Sequence, residues 1–211
     1  MSEMLIPGPA GDLEVRLEFL NEPDSAGEGR PAPLAVICHP HPVYGGTMTN
    51  KVVHILAAGF RDLGAHTVRF NFRGVGRSAG EFDNGIGETD DLLAVVKWAQ
   101  ARFPDAPLWL AGFSFGAWIA LKATAQLHPE RLVLVAPPVD MYDFSPIPEV
   151  NVPWIVIQGS KDEVVSAKAV AKWVAQRQPA PQFKVLDSAG HFFHGQLNAL
   201  KNILKSSFQP G

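Results

Sequence analysis

The strongest chemical signal in the chain is Gly112-Phe113-Ser114-Phe115-Gly116, which fits G-x-S-x-G. It lies between an apolar run, Leu108–Phe113, and an Ala- and Leu-rich segment, Phe115–Leu127. A serine at the apex of a tight strand-to-helix turn takes strained backbone angles, so side chains two residues away on either side must be nearly absent. Gly112 and Gly116 meet that demand. Such a turn exposes the Ser114 hydroxyl and sets the positive end of a helix beneath any negative charge that develops on a substrate. The competing reading is a glycine-rich turn with an incidental serine, and the strand-then-helix context argues against it.

A serine hydroxyl is a weak nucleophile and needs a base that a third group orients. Two later segments offer these groups. Asp162 sits in Gln158-Gly159-Ser160-Lys161-Asp162-Glu163-Val164-Val165, just beyond an apolar run, and His191 closes Asp187-Ser188-Ala189-Gly190-His191. Taken singly, Asp162 reads as a polar turn residue and His191 as a surface histidine. With Ser114, each at the end of its own strand, they read as nucleophile, acid and base. Asp140 is the reserve candidate for the acid. His194 starts the last helix and points elsewhere, while Asp143 and Asp187 read as loop acids.

Acyl transfer also needs two N–H donors aimed at the oxyanion. Phe115, which follows the nucleophile, supplies one. The second is expected from His39-Pro40-His41-Pro42-Val43-Tyr44-Gly45-Gly46. Proline has no N–H and His39 belongs to the strand, which leaves His41, stiffened by a proline on each side. Reading His39, His41 and His54 as metal ligands fares worse. Residues i and i+2 of an extended segment face opposite sides, and no carboxylate lies nearby, so no metal is expected. Cys38, inside an apolar run, reads as a small buried hydrophobe. Gly74-Val75-Gly76-Arg77-Ser78-Ala79-Gly80 mimics a dinucleotide fingerprint, but Glu81 to Gly87 cannot open the helix that motif requires. It reads instead as a tight loop beside the site, and no nucleotide cofactor is expected.

Positioning these residues calls for alternating strands and helices. Strands are expected at Glu14–Leu20, Leu34–His39, Thr67–Phe72, Leu108–Phe113, Leu132–Ala136, Trp154–Gln158 and Phe183–Leu186. Helices are expected at Thr47–Leu63, Glu88–Phe103, Phe115–Leu127, Ala167–Gln176 and Gln196–Ser207. The inner strands are apolar at nearly every position, as strands covered on both faces are. The class is therefore α/β, with a doubly wound, mostly parallel sheet and ligands at the carboxyl ends of the strands. The stretch from Asn21 to Pro33 reads as a surface loop.

The 211 residues suit one domain with a substantial core. A hydrophobic share of 46% excludes intrinsic disorder, and a net charge of −3 lacks the basic footprint of a nucleic-acid binder. A single cysteine excludes an internal disulfide and multi-thiolate metal sites. No apolar stretch is long enough to span a bilayer, and residues 1–13 place no basic residue ahead of an apolar run. A cytoplasmic setting without membrane or nucleic-acid partners is the expectation; oligomeric state is not legible.

On these residues the chain resembles serine hydrolases of the α/β-hydrolase superfamily along nearly its whole length. His39-Pro40-His41-Pro42, Gly45-Gly46-Thr47-Met48, Asn50-Lys51 and Asn71-Phe72-Arg73-Gly74-Val75-Gly76-Arg77-Ser78 are similar to a group of small bacterial predicted esterases, related in build to dienelactone hydrolases. Dienelactone hydrolases carry a cysteine nucleophile where this chain has Ser114. The resemblance implies triad roles for Ser114, Asp162 and His191. Many larger members insert a helical cap that residues 137–153, with prolines at 137, 138, 146, 148 and 153, cannot form. An open site is expected, walled by Tyr44, Tyr142 and Phe192, with Met141, Phe144 and Phe193 as further candidates. The reading is a serine esterase or thioesterase for small-molecule substrates, needing no cofactor. An acyltransferase, a small-peptide hydrolase, or a non-catalytic binding protein on the same scaffold are the alternatives.

Overall fold

The computed structural model describes residues 2–20, 31–146 and 149–208. Its strands are β1 (Ser2–Gly8), β2 (Gly11–Glu18), β3 (Leu34–Cys38), β4 (His66–Phe70), β5 (Leu108–Phe113), β6 (Arg131–Val135), β7 (Trp154–Gly159) and β8 (Gln182–Leu186). They form one sheet in the order β1-β2-β4-β3-β5-β6-β7-β8. β2 pairs antiparallel with both β1 and β4, and every pairing from β4 through to β8 is parallel. The α-helices are α1 (Lys51–Asp62), α2 (Gly87–Gln100), α3 (Phe115–Leu127), α4 (Ala167–Ala175) and α5 (Leu197–Ser206).

Strand side chains alternate between faces, so an all-apolar strand feeds two cores. Leu34, Val36 and Cys38 of β3 join Leu110, Leu134 and Val156 in a core covered by α2, α3 and α4. Ala35 and Ile37 join Phe113, Val135 and Ile157 in a second core under α1 and α5. Helices on both faces of a mostly parallel sheet make this the expected α/β-hydrolase architecture. Among the described residues of 136–153 there is no helix, so nothing helical caps the strand ends. No described helix is long and apolar enough to cross a membrane.

Several boundaries differ from expectation. The chain opens with a hairpin, β1 and β2, where only one strand, Glu14–Leu20, is expected. β1 is an edge strand that buries Ile6 and leaves most of its other side chains exposed or half-exposed, so it carries no apolar run. α1 begins at Lys51 rather than Thr47 because the Asn50 carboxamide oxygen accepts from Val52 N–H at 2.8 Å and caps the helix. Residues 47–50 stay as a turn. The Gly74–Gly80 loop opens no helix, for α2 starts at Gly87. It is tied to β2 instead: Ala79 N–H donates to Asp12 C=O at 2.8 Å, and Glu14 N–H donates to the Ser78 hydroxyl at 2.9 Å. Most of the expected surface loop, residues 21–30, and Pro148 lie outside the described residues.

Candidate active site

Ser114 stands between β5 and α3 with φ 54° and ψ −121°, the left-handed region that a non-glycine residue rarely enters. Its N–H donates to Val135 C=O at 2.8 Å, anchoring the turn to β6. A Cβ on Gly112 would lie 2.1 Å from Gly116 C=O oxygen, and one on Gly116 would lie 2.5 Å from the carbonyl oxygens of Cys38 and His39. Both glycines therefore admit backbone where any other residue would collide, one along the elbow and one against β3.

The loop after β8 brings His191 to the serine. His191 Nε2 lies 3.1 Å from Ser114 Oγ, and Nδ1 lies 2.9 Å from Asp162 Oδ2. A carboxylate on Nδ1 requires the proton there, which leaves Nε2 bare to accept from the serine hydroxyl. The ring is buried and packs 5.0 Å from Phe113 and 5.1 Å from Phe192, centroid to centroid.

Asp162 follows β7 with its carboxylate fully enclosed. Oδ1 accepts from Val164 N–H at 2.9 Å and Val165 N–H at 2.7 Å. Oδ2 accepts from the Gln158 amide at 2.9 Å as well as from His191. Burial pushes this carboxyl up, but the His191 hydrogen bond, the two backbone amides and the histidine's charge outweigh it and hold it below the usual carboxylate range. The group stays ionised, as a partner for an imidazolium must. Asp140, the reserve acid, is exposed and accepts from Ser166 N–H at 3.4 Å. Asp143 holds Ser145, and Asp187 holds Ser160 and Ser188.

The N–H groups of Phe115 and His41 have no acceptor among the described residues. The His41 ring caps a short 3₁₀ turn, Pro42–Tyr44, through Nδ1, which accepts from Val43 N–H at 3.2 Å. It packs against Tyr44, Phe82 and Phe115 at 4.6 to 5.0 Å, and partial burial lowers its pKa. His39 is fully buried, with Nδ1 2.6 Å from Pro40 C=O and Nε2 accepting from Phe72 N–H at 3.0 Å. His39, His41 and His54 form no cluster with other potential ligands among the described residues. Burial pushes the Cys38 thiol up, far from a reactive thiolate.

A cavity of about 370 Å³ opens beside Ser114 and His191, walled by His41, Tyr44, Asn50, Val164 and Phe192. The expected wall residues therefore divide. Tyr44 and Phe192 line it, while Tyr142 stacks on Trp118 at 4.4 Å, and Phe144 is buried edge-on to Trp173. Phe193 is fully buried in the core under α5, and Met141 is exposed outside the lining. Adjacent residues in a chain rarely share a side, so Phe192 and Phe193 part company. A second cavity of about 230 Å³, between Trp154, Trp173 and Arg177, lies away from the serine.

Three contributors escape the motif-based reading. Gln158 braces Asp162, and its one sequence signal is a polar residue ending an apolar strand. Glu163 Oε2 accepts from His191 N–H at 3.1 Å and so fixes the loop that carries the ring. Asn50 both caps α1 and lines the cavity, and only its place before a helix marks it.

Comparison with known proteins agrees with this architecture. The family model described as serine aminopeptidase, S33, matches residues 32–150. A lidless α/β serine hydrolase from Xanthomonas campestris, XC6422, superposes with TM-score 0.91 at 43% identity, over 98% of this chain and 92% of that one. An α/β serine hydrolase homologue from Coxiella burnetii gives 0.91 at 42% identity, over 99% and 97%. The uncharacterized protein RP471 of Rickettsia prowazekii is 38% identical over 92% of this chain and 82% of its own length. With the matched region taking in the β3 loop, the serine elbow and the bare β6–β7 connection, this chain belongs to the serine aminopeptidase S33 family of α/β serine hydrolases.

Proposed function

We propose that the protein is a carboxylic-ester or thioester hydrolase that works through an acyl-enzyme on Ser114. The observation that carries this reading is the unbroken hydrogen-bond chain from Asp162 through His191 to Ser114 Oγ. In the forward step His191 Nε2 takes the hydroxyl proton as Oγ attacks the substrate carbonyl carbon. Asp162 holds the imidazole in the required tautomer and stabilises the imidazolium. The tetrahedral oxyanion receives hydrogen bonds from the Phe115 and His41 N–H groups, with the N-terminus of α3 behind it. His191 then protonates the leaving alcohol or thiol. Water attacks the acyl-enzyme by the same route, returning the proton to Oγ. No step calls for a metal or organic cofactor.

That no described residue between β6 and β7 is helical supports small, accessible substrates. The test is labelling with a fluorophosphonate probe beside turnover of short-chain p-nitrophenyl esters. Wild type should label and turn over, and Ser114→Ala should do neither while keeping its melting temperature. A folded wild type inert to both reagents would leave the scaffold as a binding protein.

A further inference from the structure

The cavity beside Ser114 has a definite chemical bias. Among its lining side chains none carries a carboxylate, and Tyr44, Val164 and Phe192, residues 85%, 41% and 40% exposed, give it largely apolar walls. Three polar side chains remain besides Ser114 and His191: Tyr44, whose hydroxyl can donate or accept, and Asn50 and His41. Asn50 Oδ1 is occupied by Val52 N–H at 2.8 Å, and His41 Nδ1 by Val43 N–H at 3.2 Å. With those bonds made, Asn50 Nδ2 and His41 Nε2 carry hydrogens and can act only as donors. The two carboxylates that precede Val164 in the chain are engaged elsewhere. Asp162 is enclosed behind His191, and Glu163 accepts from the His191 backbone.

A protonated amine has donors and no acceptor, and it carries a charge that must be matched when it leaves water. It finds here apolar walls, two donors and one neutral hydroxyl, that of Tyr44, with no lining carboxylate to match its charge. We infer that the site accepts neutral, apolar acyl groups and rejects acyl groups bearing an α-ammonium, so that amino-acyl esters and free peptide N-termini are poor substrates. This rests on the acyl-enzyme reading and narrows it. It also separates this chain from the activity in its family's name, because recognition of a free N-terminus needs a negative group near the acyl α-carbon. A cavity of about 370 Å³ sits at the small end of small-molecule sites and holds a chain of several carbons. Each methylene buried there should raise kcat/KM about fourfold until the cavity is filled.

The decisive comparison uses three p-nitrophenyl esters with one leaving group: 4-methylpentanoate, L-leucine, and N-acetyl-L-leucine. The first two share a branched chain and differ by the ammonium; the third masks the charge while adding bulk. Measured at pH 6, above the uncatalysed rate, 4-methylpentanoate should exceed the leucine ester at least ~100-fold in kcat/KM, the expected consequence of an unpaired charge in an apolar site. The N-acetyl ester should recover to within about tenfold of the neutral one, since its charge is gone. Equal or faster turnover of the leucine ester overturns the inference. An N-acetyl ester as poor as the leucine ester overturns it too, because bulk rather than charge would then be excluded. Fluorophosphonate labelling at Ser114 without turnover of 4-methylpentanoate sinks this inference alone. Loss of labelling and of all three turnovers removes the hydrolase reading with it.

Discussion

Two buried imidazoles, at the carboxyl ends of β3 and at the loop after β8, are built almost alike. In each, Nδ1 faces a hydrogen-bond acceptor and Nε2 accepts a hydrogen bond. His39 donates to Pro40 C=O and accepts from Phe72 N–H, and both partners are backbone. His191 donates to Asp162 and accepts from Ser114, and both partners are side chains with chemistry of their own. Burial, with the neighbouring His41 adding to it against the Pro40 bond, pushes the His39 pKa down to about 4, so the ring has no charged state to use near neutrality. A carboxylate beside His191 gives an imidazolium somewhere to go. The contrast teaches that burial and two hydrogen bonds make a strut, and that a reacting group needs partners able to change state.

The comparison can be broken most sharply by exchanging each ring for glutamine. On the proposed mechanism His191→Gln should lower kcat at least ~10⁴-fold with little change in melting temperature. Asp162→Asn should come next, at about 10³–10⁴-fold in kcat, since the amide turns the imidazole to the wrong tautomer. If Asp162→Asn keeps wild-type kcat, the assignment of the acid fails. Gln158→Leu removes one donor to the carboxylate and should cost about tenfold in kcat with KM nearly unchanged. Asp140→Asn should change kcat less than about twofold, because that exposed carboxylate holds the Ser166 N–H and lies outside the bond chain to Ser114.

His39 carries the pH prediction. Folded, it stays neutral down to about pH 4, whereas unfolded it takes a proton near pH 6.5. Between those values the unfolded state binds more protons, so stability falls as the pH falls, by about 3 kcal/mol across the window. His39→Gln should be less stable than wild type by about 1–2 kcal/mol at pH 7, from poorer hydrogen-bond geometry. Its deficit should shrink and reverse by pH 4, since glutamine has nothing to titrate. Urea unfolding at the two pH values reads the crossing; a deficit that stays constant would mean that His39 is not the group being linked.

How much of this was legible in the chain depended on what each residue has to announce. The serine elbow is legible because strained backbone forces glycine at two fixed positions, and the parallel sheet because strands covered on both faces must be apolar throughout. Asp162 could be chosen over Asp140 only by its place after the penultimate strand. What stayed hidden is held by contact rather than by pattern. β1 buries too little to show a period, Gln158 acts by bonding Asp162 one turn on and Glu163 by bonding the His191 loop, and Tyr142 stacks on Trp118. Aromatic residues in a proline-rich connection look alike until the fold says which surface they meet.

The elbow touches more of the molecule than its five residues suggest. Ser114 is tied to β6 through Val135, and Gly116 lies against the last carbonyls of β3, so three neighbouring central strands jointly set the position of one hydroxyl. The walls of the cavity hang on separate turns, and one of them, Phe192, packs by its ring against Phe113 of β5 and against His191. Variation in the exposed side chains of Tyr44 or Val164 can therefore retune what enters, whereas a change at Phe192 also reaches His191.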